Sequence, residues 1–189
     1  GCRVVTLSMY NKPDFAADGA ESTAIVDSNP LAQIVVATAD GLFATPAPMI
    51  RRGENLVGHV ARPNSLWQHP GAALAIFTGP DAYVSPNWYP RKAEHGRVVP
   101  TWNYTTVHVR GTLLVHDDDE WKLDVVTLLT DKFEASQPKP WTVADAPTDY
   151  IAALMNRIVG IELVDLTIEG KRKLSQNVDE ADHESVRQA

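Results

Sequence analysis

The chain has 189 residues, with 24 acidic against 17 basic side chains, a formal net charge of −7, 44% hydrophobic and 22% charged residues. That is a globular composition long enough to bury a core without covalent staples, and its acidity disfavours a protein that grips nucleic acid over a broad basic surface. The lone Cys2 excludes an intramolecular disulfide or a cysteine-built metal centre, and apolar runs such as Gly71 to Phe77 are far too short to cross a bilayer. Residues 1–8 precede Met9 and read as upstream sequence, leaving a single domain over 9–189, with a cytoplasmic location expected.

Asp18 to Ser28 carries Ala20, Ala24 and Ile25 near helical spacing and ends at Asn29-Pro30, where the proline holds its predecessor extended; a short helix is predicted there. From Gln33 the pattern turns β, with Ile34 to Thr38, an Asp40-Gly41 hairpin signal, and Leu42 to Ile50. Pro46 and Pro48 each remove a ladder donor, so that second strand is expected at an edge or bulged. Arg52-Gly53-Glu54-Asn55 turns the chain into a third strand, Leu56 to Ala61, giving an antiparallel meander. Gly71 to Phe77 reads as a central strand covered on both faces.

Tyr104 to His116 is the longest strand candidate, with Val107, Val109, Gly111, Leu113 and Val115 on its core face. A helix capped by Asp117 or Asp118 follows, its packing stripe drawn through Trp121, Val125, Leu128, Leu129 and Phe133. Pro138, Pro140 and Pro147 make 136–148 a loop before a second helix to about Arg157. In the last strand, Ile158 to Ile168, the apolar phase slips between Leu163 and Val164, as a β-bulge requires. The predicted class is mainly β with peripheral helices (α+β), a small closed or split β-barrel.

The chain carries no Gly-x-Gly-x-x-Gly, Walker, Gly-x-Ser-x-Gly or His-Glu-x-x-His signature, and its six histidines never fall at i, i+4, so no metal is expected. His108 and His116 read as hydrogen-bonded or solvated rather than catalytic. Four stretches concentrate groups suited to a flat, polar, phosphorylated ligand. In Gly58 to Trp67, Arg62 stands at a strand end with Asn64 and Ser65 nearby, so its fork could take a phosphate; an ion pair with a carboxylate is the equal alternative. Gly79 to Pro90 could form a rigid pocket wall or a satellite core. Val99 to Tyr104 offers Trp102 and Tyr104 to cover a ring and Asn103 to donate and accept at its edge, or simple packing beneath a loop. In Glu169 to Asn177, Lys171 and Lys173 face one way, which a solvated strand end also explains.

In their order along the chain, Met9-Tyr10 with Pro13 and Phe15, Asp40-Gly41-Leu42-x-Ala44-Thr45, Gly58-His59-x-Ala61-Arg62-x-Asn64, Ala82-Tyr83-Val84-Ser85-Pro86-x-Trp88-Tyr89, Val99-Pro100-Thr101-Trp102-Asn103-Tyr104 with Val107-His108, and Lys173-Leu174-Ser175-Gln176-Asn177 resemble the PaiB family of FMN-binding negative transcriptional regulators, a branch of the flavin-binding split-barrel proteins. The resemblance spans Met9 to about Asn177; Val178 departs from it where the family commonly has Arg, and the tail to Ala189 is short. It implies a homodimeric split β-barrel with FMN at the subunit interface. It further implies that Arg62 carries the phosphate, that His59, Asn64, Trp102, Asn103 and Tyr104 line the flavin, and that Lys173, Ser175, Gln176 and Asn177 reach it from the last strand. The implied function is repression through a partner or a redox state rather than a dedicated DNA-binding motif. An FMN-dependent oxidoreductase of the pyridoxamine phosphate oxidase or flavin reductase class is the alternative, because a shared fold does not decide what the flavin does.

Overall fold

The computed structural model describes residues 8–189; the upstream reading of residues 1–8 therefore falls, apart from Ser8, outside the described residues. The strands are β1 (Ala16–Ala17), β2 (Leu31–Thr38), β3 (Gly41–Arg52), β4 (Asn55–Ala61), β5 (Gly71–Val84), β6 (Thr101–His116) and β7 (Ile158–Lys173). The helices are α1 (Gly19–Ser28), α2 (Lys92–His95), α3 (Asp119–Glu134), α4 (Thr148–Met155) and α5 (Glu180–Gln188). Hydrogen bonds order the strands β1-β7-β4-β3-β2-β5-β6, and a further pairing joins β7 to β6. The chain forms two compact units: one holds the chain up to Asn29 with Phe77–His108 and Ile168–Ala189, the other Pro30–Ile76 with Val109–Thr167.

The second unit contains the predicted meander. β2 pairs antiparallel with β3 from Leu31↔Pro48 to Thr38↔Gly41, and β3 with β4 from Met49↔Gly58 to Arg52↔Asn55. Gly53 at φ +63° makes the second turn, a conformation that side-chain-bearing residues seldom adopt. Pro46 and Pro48 sit where β3 has no β4 partner, because that ladder begins only at Met49. Their missing N–H groups therefore cost no ladder bond, and β3 is locally an edge there as expected. β4 continues antiparallel onto β7, from Leu56↔Leu163 to Ala61↔Ile158. Asp165, just past the predicted phase slip, adopts φ +55°.

Ile50, Val57, Val125 and Leu129 form a buried cluster against which Trp121 packs. Each such apolar side chain removed from water contributes about 1.5–3 kcal/mol. α3 is capped by Asp118, whose Oδ1 accepts from the Trp121 N–H at 2.8 Å, satisfying one of the donors that a helix start leaves free. Its buried stripe runs through Lys122, Val125 and Leu129, whereas Leu128 and Phe133, which the sequence assigned to the stripe, are exposed. The helix turns a narrower face to the sheet than its apolar content suggested.

β5 also departs from expectation. Ala73, Ala75 and Phe77 are buried, but the alternate Ala72, Leu74 and Ile76 are not, so only one face is covered within the chain. The strand extends past Phe77 through Gly79-Pro80 to Val84, into the stretch read from sequence as a pocket wall or satellite core, and the Thr106 hydroxyl on β6 donates to the Phe77 carbonyl at 3.1 Å. Pairing with β6 overrides the local turn signal of glycine and proline.

In the first unit α1 starts in a reciprocal cap: the Glu21 N–H donates to Asp18 Oδ1 at 2.8 Å, and the Asp18 N–H to Glu21 Oε2 at 3.1 Å. β1 pairs with the end of β7, Ala16↔Lys171 and Ala17↔Gly170. α5 is fastened by Asp182, wholly buried, whose Oδ2 accepts from Arg91 Nε at 2.7 Å. Among the described residues no helix is long and apolar enough to cross a membrane.

Candidate functional site

In the second unit the predicted residues lie on the end of β4 and the turn that follows. Gly58 opens this stretch for a steric reason: a Cβ there would stand 2.4 Å from the Pro48 carbonyl oxygen and 2.7 Å from Met49 Sδ. The backbone oxygen cannot yield, so Gly58→Ala is expected to destabilise by about 2 kcal/mol, read as a lower denaturant midpoint with unchanged slope. His59 follows, paired with Gly160. Its Nδ1 is buried and has no hydrogen-bond partner among the described residues. Burial lowers its pKa, favouring the neutral imidazole.

Arg62 closes the strand. Its Nη1 and Nη2 donate to Asp117 at 3.1 and 2.5 Å, its Nε to the Asn156 carbonyl at 2.8 Å, and its Nη2 also to the Ile158 carbonyl at 3.1 Å. This fork is thus engaged by a carboxylate, the second of the two uses that the sequence left open. Hydrogen bonding from Arg62, reinforced by Lys122, holds the Asp117 carboxyl at about 2 against an ordinary 3.8. Asn64 caps the next turn: its Oδ1 accepts from the Leu66 N–H at 3.0 Å, and its Nδ2 donates to Thr45 Oγ1 at 2.8 Å. Trp67 Nε1 donates to the Arg62 carbonyl at 2.9 Å. Every polar side chain of this turn named here has a partner, so the orphaned nitrogen of His59 stands out against it.

In the first unit the start of β6 and the end of β7 meet side chain to side chain. Lys173 Nζ donates to the Thr101 hydroxyl and the Trp102 carbonyl, and the Ser175 hydroxyl donates to Asn103 Oδ1 at 2.9 Å. Ser175, buried, adopts φ +62°. Lys171, also buried, donates to the Tyr10 carbonyl at 2.8 Å and lies 5.3 Å from the Tyr104 ring centroid and 5.5 Å from that of Tyr10, a cation over two rings. Trp102 is 53% exposed and meets Tyr83 edge to face at 6.0 Å. Gln176 Nε2 donates to the Asp14 carbonyl at 3.0 Å.

Alternation along this segment divides the predicted set. Lys173, Ser175 and Asn177 line a cavity of about 240 Å³ together with Thr101. Asn103 and Gln176, with Arg172 and Leu174, line a separate depression of about 640 Å³. Sequence reasoning placed these residues together and missed that successive ones serve two hollows, where the chain leaves β7 through a turn at Ser175. It also missed Asp117, Arg91 and Arg97, whose importance rests on long-range partners or on a cavity. Among the described residues no group of three or more His, Cys, Asp or Glu is placed to hold a metal ion.

The seven-stranded, mainly antiparallel sheet with a few helices is the architecture of flavin-binding split-barrel proteins. The structure of the flavocytochrome Anf3 from Azotobacter vinelandii is similar to this chain with a TM-score of 0.63 at 18% identity, covering 90% of this chain and 75% of that one. Residues 9–165 match the model of the family described as "Putative FMN-binding domain", and the chain belongs to that family. It is 32% identical over 134 residues to the Protease synthase and sporulation protein PAI 2 of Bacillus subtilis, covering 69% of this chain and 62% of the relative. It is likewise 32% identical over 144 residues to the uncharacterized protein AN0679 of Emericella nidulans, covering 70% of this chain and 57% of the relative. The chain thus spans about three fifths of the length of these curated relatives. The PaiB resemblance and the expected fold class are borne out, and FMN is the cofactor that the family assignment gives.

The residues present fit such a group. In the second unit a buried imidazole nitrogen without a partner calls for a ligand atom; in the first, taken by itself, the 101–104 and 173–177 segments supply hydroxyl, amide, ammonium and aromatic groups suited to a flat heterocycle with ring donors and acceptors.

Proposed function

We propose that this chain is an FMN-binding regulator of the PaiB type, which represses gene expression through a partner or through the redox state of its flavin. The observation that carries the flavin part is the unpartnered, buried Nδ1 of His59 inside the Gly58-His59-x-Ala61-Arg62-x-Asn64 block. In the second unit His59 and Asn64 are the proposed flavin contacts, on a strand end that Arg62 holds through Asp117; in the first they are Trp102, Asn103, Tyr104, Lys173, Ser175, Gln176 and Asn177. His59 offers a neutral imidazole to a ring edge, Trp102 an exposed face for stacking, and Lys173 an N–H donor. FMN, when bound, supplies reversible one-electron and hydride chemistry, while the protein orients it and controls water around it. The net charge of −7 supports regulation through a partner over direct operator binding.

A second part of the proposal is a homodimer formed on the outer face of the second unit's sheet. The β2–β3 and β2–β5 registers place Leu31, Val35 and Ala37, then Leu42, Ala44, Pro46 and Pro48, then Leu74 and Ile76 on one side of three adjacent strands. Gln33 is the polar member of this face, and Leu31 and Leu42 are 59% and 81% exposed. A contiguous outward face of this composition is rare on a monomer and typical of a subunit interface.

The flavin reading is tested with His59→Leu. Removing a buried polar atom that lacks a partner should leave the flavin-free protein equally stable or about 1 kcal/mol more stable, while FMN affinity falls about tenfold, because the ligand hydrogen bond is lost. Fluorescence quenching of added FMN and thermal melting read the two effects. No binding of FMN by the wild type would defeat the proposal. The regulatory part is read by transcript profiling of a strain lacking the protein: transcripts derepressed there should fall again when the wild type is restored and not when His59→Leu is. Unchanged transcripts together with flavin-dependent turnover of a nicotinamide cofactor would transfer the assignment to the oxidoreductase class.

A further inference from the structure

The cavity of about 240 Å³ in the first unit is lined by Arg91, Arg97, Lys173 and Asp182, with Thr101, Ser175 and Asn177 as neutral donors and Val98, Val99 and Val178 among its apolar residues. Its charges do not balance. Asp182 is used by Arg91, whose Nε lies 2.7 Å from it and 2.8 Å from Asp179. Arg97 and Lys173 have no ion-pair partner among the described residues, and the Lys173 ammonium is held only by the Thr101 hydroxyl and the Trp102 carbonyl. In a chain with seven more acidic than basic side chains, two cations without a counter-charge, the exposed Arg97 and the half-buried Lys173, face one hollow, where an anion would meet both. Partial burial lowers the Lys173 pKa, with Tyr104 opposing and Lys171 adding to the shift; an anion beside the ammonium would act against it.

We propose that this cavity binds the acid group of a small organic anion with an apolar body, with Arg97 and Lys173 as its charge partners and the valines as its wall. The volume is below the range of about 300–1,000 Å³ in which drug-sized ligands are buried, and suits a small molecule or the acid end of one. Arg97 provides a planar fork for a carboxylate or phosphate. Because Lys173, Ser175 and Asn177 are also proposed flavin contacts, the inference deepens that reading: the anion is a ligand of the flavoprotein distinct from its cofactor.

Benzoate and phenyl phosphate are the probes, with benzyl alcohol as the neutral isostere, titrated by ligand-observed NMR into the FMN-loaded protein and into the flavin-free chain. Both acids should bind and the alcohol should not. Arg97→Gln, a change at an exposed loop residue, should weaken acid binding about ten- to a hundredfold, with Arg97→Lys recovering part of it and FMN affinity unchanged. The source of the anion is decided by competition. If FMN displaces the acids, or if Arg97→Gln weakens FMN but not riboflavin, the cavity seats the flavin phosphate and the proposal falls. No binding of either acid at about 10 mM, the floor of useful affinity, overturns it as well. Acid binding to a chain that takes no FMN would uphold the site while the flavin reading failed, so the two failures are distinguishable.

Discussion

If the chain dimerises on this face as proposed, Val35→Glu is expected to leave it monomeric and to abolish high-affinity FMN binding without unfolding the chain. Val35 lies at the centre of the outward apolar face, paired with Ala44 on one side and Leu74 on the other. In a two-fold dimer formed on this face the substitution buries two carboxylates against apolar partners, one from each subunit. Each loses hydration for which no partner compensates, so the dimer should weaken by more than a thousandfold. In a monomer the same glutamate points to water from a half-exposed position, and melting should change little. Sedimentation velocity, circular dichroism and FMN titration on one preparation separate these effects. Leu74→Glu, on the neighbouring strand, should act in the same way. A Val35→Glu protein that remains dimeric would place the interface elsewhere.

That face was only half legible in the sequence. The strands themselves were: the meander turned at Gly53 and the alternation of Val107, Val109 and Leu113 each follow from local chemistry, and the structure shows them. β5 misled because an unbroken apolar run has two explanations, burial within one chain or burial between two, and hydropathy cannot separate them. Register could, since it aligns Leu74 and Ile76 with Val35 and Gln33, but register depends on partners distant in sequence. The α3 stripe failed at Leu128 and Phe133 for a similar reason: a helix buries what its neighbour covers. The candidate residues were legible as blocks, yet their division between two hollows depends on side-chain direction. Asp117 lay hidden because its partner Arg62 is 55 residues away, a separation no local pattern encodes.

The Asp117 centre yields the second large effect. Lys122 is 2% exposed, and its ammonium lies 3.2 Å from Asp117, 2.9 Å from Asp119 and 2.9 Å from the Met155 carbonyl. Lys122→Ala removes this buried link between α3 and the end of α4 and leaves a cavity, so a loss on the order of 3 kcal/mol is expected in equilibrium unfolding. Asp117 also receives the Arg62 fork, which adds a pH signature. A carboxyl held at about 2, against an ordinary 3.8, contributes stability that is fully present above pH 4 and fades as pH falls toward 2. In Arg62→Ala the chief cause of that depression is gone, so the Asp117 contribution should shrink and the acid limb of the stability curve should move to higher pH. Because four hydrogen bonds of the guanidinium go to Asp117, Asn156 and Ile158, we expect the flavin-free variant to melt at lower temperature. FMN and riboflavin should weaken together through the disturbed turn, with Arg62→Lys intermediate. Riboflavin lacks the phosphate, so selective loss of FMN with an unchanged melting temperature would instead assign the fork to the phosphate. Measuring both affinities beside acid melting of the flavin-free protein thus decides whether Arg62 holds the strand end or the cofactor.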